Sequence, residues 1–210
     1  MMKKVVSFAG FDTLFDTEVF YRAIGRLGER YNIDDNLVRN TYVEKELALM
    51  KADEFVKYSK LMEEALNQTA DELGFKVDPS DFSDVLIAHT VMKPFPDAPT
   101  ALYQIKAKGY ETVLMTNHSR DLIQSNVINL DHEFDMIITA EDVQTYKPNQ
   151  KFFDYVNNQL GNDVEKHVHV AVDEVKDLKP AQDAGWNVIK IDRKSEDASI
   201  ASLMDTVDKL

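Results

Sequence analysis

No cysteine occurs anywhere in the 210 residues. That excludes disulfides, a thiol nucleophile and cysteine-held iron–sulfur centres, and it fits a cytoplasmic protein. Basic residues are scarce: 24 Lys and Arg stand against 37 Asp and Glu, a net charge of −13. Nucleic acid and anionic membrane partners both require clustered basic surface, so neither is expected. Also missing is any run approaching the roughly eighteen apolar residues of a membrane span. Met1-Met2-Lys3-Lys4 ahead of an apolar patch imitates an export signal, but the patch is only about seven residues long and runs straight into Asp12. Glycines and prolines are few, seven and six, so each is informative about a boundary.

What is present is enough apolar residue, 44%, to bury one good core and a smaller satellite module. Val5, Val6 and Phe8 read as a short buried strand ending at Gly10. From Thr17 to about Lys93 the pattern is helical. Val19, Phe20, Ala23, Ile24, Leu27 and Tyr31 recur at three-to-four-residue spacing, with Thr17 as N-cap. Asp34 or Asp35 caps a second helix through Leu37, Val38, Tyr42 and Leu47. A third carries Phe55, Tyr58, Met62, Ala65, Leu66, Thr69 and Leu73 and stops at Gly74; Asp78-Pro79 opens a fourth. Two prolines two apart in Lys93-Pro94-Phe95-Pro96-Asp97 forbid a continuing helix and mark a linker.

Past the linker the pattern alternates. Helices are expected over Asp97–Lys108, from Asn117-His118-Ser119 to Leu130, over Pro148–Leu160, Asp177–Ala184 and Ala198–Leu210. Strands are expected over Glu111–Met115, Met136–Ile138, His167–Val172 and Asn187–Ile191. Strand–helix alternation means an α/β fold with a parallel sheet covered by helices on both faces. The expected division is a core of residues 1–15 and 94–210 with a four-helix module, 16–93, inserted after the first strand. Ligands of such sheets sit beyond the carboxyl ends of the strands, where strand order reverses.

Phe11-Asp12-Thr13-Leu14-Phe15-Asp16 after the first strand, Val113-Leu114-Met115-Thr116-Asn117, Tyr146-Lys147-Pro148 and Asp173-Glu174-Val175-Lys176-Asp177 follow one another in order, each at or just past a strand. In that order and spacing the chain resembles the haloacid dehalogenase-like hydrolases, most closely the 2-haloacid dehalogenase branch with its helical cap. The resemblance implies a Rossmann-like five-stranded sheet in the order 3-2-1-4-5 and an inserted cap domain. It also implies a small anionic substrate or ligand in the cleft between core and cap. Aligning Thr13-Leu14-Phe15-Asp16 with the family's Thr-Leu-Phe-Asp puts Ala9 at the position of the nucleophilic Asp. Phe11 then falls where phosphatases carry an acid–base Asp. Thr116 would hold a phosphoryl or leaving-group oxygen with Asn117 beside it. Lys147 would orient the nucleophile, and Asp173 and Asp177 would bind Mg²⁺. Counted back from Ala184-Gly185, the first of these acids falls on Val172, so Asp173 must have taken over or the acid is lost. The branch's substrate-binding Arg aligns with Val43, after Tyr42; Arg22, Arg26, Arg30 or Arg39 could substitute.

Two further features stand apart from these motifs. His167-x-His169 puts two imidazoles on one face of a strand, a conceivable metal pair but with no third ligand evident. His118, beside Thr116, lines the pocket mouth or is an ordinary loop histidine.

A family nucleophile attacks to form a covalent aspartyl intermediate. A methyl group at position 9 removes the attacking atom, and Phe11 can neither donate nor accept a proton. Three readings stay open. The chain is an engineered inactive form of a hydrolase whose natural sequence has Asp at position 9, or a natural pseudoenzyme that binds a ligand or partner, or an active hydrolase through Asp12 or Asp173. Weak Mg²⁺ binding and no organic cofactor are expected, and the sequence leaves the oligomeric state open.

Overall fold

The computed structural model describes residues 2–161, 164–193 and 200–210. Five parallel strands form one sheet in the order β3-β2-β1-β4-β5. They are β1 Lys3–Ala9, β2 Glu111–Thr116, β3 Met136–Thr139, β4 Val164–Ala171 and β5 Asn187–Lys190. The order reverses between β1 and β4, so the crevice for ligands opens at the carboxyl ends of these two strands. Alternation along the strands splits the packing between two faces. Val6 and Phe8 of β1, with Val168 and Val170 of β4, pack toward Ala98, Leu102 and Ile105 of helix α5 (Ala98–Ala107) and Leu203 and Val207. Val5, Val113 and Met115 share a cluster with Phe152, Phe153 and Val156 of helix α8 (Gln150–Leu160) and with Trp186.

Between β1 and α5 the described secondary structure is helical: α1 Glu18–Gly25, a 3₁₀ stretch Arg26–Tyr31, α2 Asp35–Met50, α3 Tyr58–Leu73 and α4 Pro79–Thr90. Their apolar stripes converge on Phe20, Ile24, Val38, Tyr42, Met62, Leu66 and Val85, all fully buried or within 1% of it. Local chemistry fixes the ends. Asp34 accepts from the Leu37 amide, Gly74 stops α3 in the left-handed region, and Asp78 and Asp81 form a reciprocal capping box before Pro79. The two passages between this helical stretch and the sheet lie side by side. Phe15 bridges Pro94 antiparallel, and the Phe95 and Asp16 amides donate to the Leu14 and Lys93 carbonyls.

Several expected boundaries are corrected. Thr17 occupies the expected N-cap position of α1, but with helical backbone angles (φ −87°, ψ −2°) and no capping bond from its side chain, whose hydroxyl donates to Asp12. Helix α6 runs Arg120–Ile128, following Asn117-His118-Ser119 as expected and ending two residues before Leu130. Asn149 caps α8, so that helix begins at Gln150 rather than Pro148. The closing helix α10 is only Leu203–Val207, because the Ser202–Asp205 capping box sets its start; residues 198–199 of the expected span lie outside the described residues. The stretch expected as one helix from Asp177 is a single π turn, Glu174–Leu178, followed by α9, Lys179–Asp183. A four-residue helix, α7 Ala140–Val143, sits on a Thr139–Asp142 capping box that periodicity over so few residues could not reveal.

Candidate active site

Beyond the ends of β1 and β4 lies a cavity of about 140 Å³. Among its lining residues are Ala9, Phe11, Asp12, Thr116, Asn117, His118, Lys147, Val172, Asp173 and Asp177. The structure therefore gathers at one cavity every residue of the four motifs given a site role, with His118, except Thr13, which is fully buried and whose hydroxyl has no hydrogen-bond partner among the described residues; His167, His169 and the candidate arginines do not line it.

Lys147 is the best-anchored of them. The Asn117 carboxamide grips its backbone from both sides: Nδ2 donates to the Lys147 carbonyl at 3.0 Å, and Oδ1 accepts from the Lys147 amide at 2.7 Å. The Lys147 ammonium, buried with only 4% of the residue exposed, donates to the Met115 carbonyl at 3.1 Å and to the Asp177 carboxylate. Burial would push Asp177 up, yet the Lys147 ammonium and His169 hold its carboxyl well below the usual carboxylate range.

His167 and His169 do lie on one strand face, joined by the Ser7 hydroxyl of β1 at 2.8 Å from each. His169 Nε2 reaches Asp177 at 3.3 Å. Burial pushes both imidazoles down, His167 to about 3, so both are neutral. A carboxylate only accepts, so His169 Nε2 carries the proton and Nδ1 accepts from the Ser7 hydroxyl, which in turn accepts from His167 Nε2–H. The pair is thus a directed hydrogen-bond chain ending on Asp177 and Lys147.

The other wall is less polar. Ala9 is the last residue of β1 and 4% exposed. Phe11 stacks on His118 with centroids 3.7 Å apart, and its ring lies 6.0 Å from Phe20 and 5.4 Å from His89. His118 also meets the edge of Tyr58 at 4.3 Å. Burial holds the His118 imidazole well below its ordinary value, and its Nδ1 lies 2.7 Å from the Thr116 hydroxyl. Asp12 sits at φ +55°, and its carboxylate accepts from the Thr17 hydroxyl at 2.6 Å.

Asp173 follows β4 by two residues and bonds the Val175 and Lys176 amides, with Lys176 Nζ at 3.1 Å. Asp173 and Asp177 are thus each committed to a lysine. Among the described residues, no three His, Asp or Glu side chains converge as a metal site would require. These residues do not fit Mg²⁺, which keeps its waters unless several anionic oxygens meet. Of the candidate arginines, Arg39 lines an adjoining cavity of about 260 Å³ with Asp12 and Arg193. Arg22, Arg26 and Arg30 pair with Glu18, Glu29 and Asp81.

Sequence reasoning missed Ser7, Lys176 and the groups that reach the cavity from the helices: Tyr21, Glu46 and Met50. Glu46 had a legible trace. Val38, Tyr42 and Glu46 are spaced by four on α2, so an acid falls on the apolar stripe.

The haloacid dehalogenase-like hydrolase family profile matches residues 33–191. The (S)-2-haloacid dehalogenase of Pseudomonas fluorescens is 28% identical over 143 residues, 67% of this chain and 63% of the relative's length. The glyceraldehyde 3-phosphate phosphatase of Methanocaldococcus jannaschii is 26% identical over 216 residues, covering 94% of this chain and 92% of the relative. In structure, the L-2-haloacid dehalogenase of Xanthobacter autotrophicus superposes with a TM-score of 0.81 at 20% identity over 99% of this chain and 98% of that one. No helix among the described residues is long and apolar enough to cross a membrane. With the sheet order, the cavity at its switch point and the matched residues in agreement, this chain belongs to the haloacid dehalogenase-like hydrolase family.

Proposed function

We propose that this chain is a hydrolase scaffold that, as written, binds a small ligand in the cleft between sheet and helices without turning it over at a useful rate. The observation that carries this reading is Ala9 at the mouth of β1, opening on the same cavity as the Lys147–Asp177 pair. The pair is in place and the atom that would attack beside it is a methyl carbon. Residues 1–15 and 94–210 act as the core and 16–93 as the cap. Lys147 supplies positive charge toward an anionic group, Asn117 and Asp177 position Lys147, and Thr116 is released to a ligand oxygen by giving up His118. Mg²⁺ binds weakly because Asp173 and Asp177 are already engaged.

Ala9→Asp tests the reading. It should raise hydrolysis of an aryl phosphate or a 2-haloacid by orders of magnitude over the Ala9 chain, since stripping a covalent catalyst of its nucleophile removes ~10⁴-fold or more. Both forms are assayed with and without Mg²⁺. Brisk turnover by the Ala9 form that Asp12→Asn abolishes would show that the nucleophile is Asp12 and overturn the proposal. The Thr17 hydroxyl bond and left-handed backbone of Asp12 argue against that alternative.

A further inference from the structure

The charges around the cavity do not balance. Four carboxylates line it, Asp12, Glu46, Asp173 and Asp177, against two ammonium groups, Lys147 and Lys176. Lys147 is committed to Asp177 and Lys176 to Asp173. Asp12 and Glu46 remain, and neither makes an ion pair among the described residues; each is held by hydroxyl groups instead.

Glu46 is the more telling of the two. It projects from α2 and is only 4% exposed. The Tyr42 and Tyr58 hydroxyls both donate to the same oxygen, Oε1, at 3.0 and 2.7 Å. The second oxygen, Oε2, takes no hydrogen bond from any described residue. Two tyrosines therefore aim and fix a buried carboxylate while leaving one of its oxygens open. Burial pushes the Glu46 carboxyl up, opposed by the tyrosine hydroxyls and the Lys176 ammonium. A buried carboxylate with one oxygen left without a partner is only partly compensated, and a cation arriving from solvent removes the remaining penalty.

A divalent metal does not suit the arrangement, because no three acidic or imidazole side chains converge on one point among the described residues. An organic ammonium does suit it, since its N–H groups bond one carboxylate at a time. The cavity, about 140 Å³, is the space of roughly five waters at ~30 Å³ each, enough for a few-carbon chain.

We propose that the cleft recognises a small ligand bearing a protonated amino group, with Oε2 of Glu46 as the group that selects it. This rests on the reading above, in which the same cleft binds a small acid or phosphate ester at Lys147, and it narrows that class to amino-bearing members. Because the Ala9 chain lacks the attacking atom, binding is measured at equilibrium without turnover.

The test compares 2-aminoethyl phosphate with propyl phosphate, matched in size, by calorimetric titration of the unmodified chain. A charged hydrogen bond is worth about 1.5–3 kcal/mol, so the amino ester should bind at least ~10-fold more tightly. Glu46→Gln, which keeps the shape and an acceptor for the tyrosines, should abolish the preference, bringing the two esters to within about threefold of each other. Equal binding of the two esters by the unmodified chain overturns the inference and leaves the hydrolase-scaffold reading standing. So does a preference that survives Glu46→Gln. If neither ester binds at millimolar concentration, both fall. If the amino preference holds but Ala9→Asp stays inert, this inference stands and the catalytic part of that reading falls. Should Glu46→Gln not fold, the unmodified chain still decides between preference and none.

Discussion

The two walls of the cavity at the switch point are built in opposite ways. On the β2 and β4 side, polar groups are committed to one another: Asn117 to the Lys147 backbone, Lys147 to Asp177 and the Met115 carbonyl, Asp177 to His169, and His169 through Ser7 to His167. At the β1 mouth the chain offers a methyl group at Ala9 and an aromatic ring at Phe11 packed on His118. The networked wall is part of the fold, because its charges are buried and each is stabilised only by its neighbours. The methyl group of Ala9 makes no such demand, so an exchange there should leave the protein standing. On the proposed reading, chemistry at the β1 mouth and stability at the β2–β4 wall are separable, and substitutions should pull them apart.

The largest expected effect on stability comes from breaking the network. Lys147→Met leaves Asp177 charged in a buried site and should lower unfolding stability by about 3–5 kcal/mol. It would be read as a shift in the denaturant midpoint with an unchanged slope. Adding Asp177→Leu to Lys147→Met should recover most of that loss, since replacing both members of a buried pair is far less harmful than orphaning one. A Lys147→Met loss below about 1 kcal/mol, no more than a surface pair would give, would show the two walls to be energetically alike and break the comparison.

The same network makes the protein acid-sensitive. Burial holds His167, and with it His89, at about 3. Below the ordinary imidazole pKa of ~6.5 the unfolded chain takes up protons that the folded chain refuses. Stability therefore rises with pH there and falls as pH drops toward 3, by at most ~1.4 kcal/mol per pH unit for each histidine. Asp177, held below its ordinary range, acts in the same direction at lower pH. Unfolding free energies from denaturant titrations at pH 7 and pH 5 should differ by a few kcal/mol; equal values would mean that these imidazoles accept protons in the folded state.

The parallel sheet was legible because strands buried on both faces read as apolar runs between helical patterns; its order came only from the family resemblance that the four motifs carry. Element ends were legible where a cap or glycine had no competing role, as at Asp34, Gly74 and Asp78. Thr17 holds the expected N-cap position of α1, but its helical backbone angles leave the hydroxyl without a capping bond, and its bond to Asp12 was not legible. The sheet-side residues of the cavity were readable, apart from Lys176, only through the family resemblance of their motifs. The residues reaching it from the helices were not readable as a group, since Glu46 and Tyr58 meet only through the packing of α2 on α3, a contact set by tertiary structure. Ser7 was hidden for a different reason. A serine in a buried strand reads as a tolerated small residue until its two histidine partners on β4 are placed beside it by the parallel register.

The smallest effect concerns His89, which lies where the aromatic cluster under Phe11 meets α4. It is fully buried, and neither ring nitrogen has a hydrogen-bond partner among the described residues. Its ring centroid is 5.0–5.9 Å from those of Phe11, Phe20, Tyr58 and His118. An unsatisfied buried polar group is worth about 1–3 kcal/mol of destabilisation, while each ring–ring contact contributes about 0.5–1.5 kcal/mol in the other direction. His89→Leu, close in volume and free of polar atoms, should therefore stabilise the chain by about 1 kcal/mol at pH 7. The gain should grow as pH falls, because the variant has one fewer imidazole to keep neutral. Measuring the variant at pH 7 and pH 5 separates the two contributions. A loss of stability with an unchanged acid slope would mean that the ring contacts of His89 outweigh its unmet polarity and that its proton is not what acid challenges. The apolar wall would then depend on aromatic geometry as strictly as the opposite wall depends on charge.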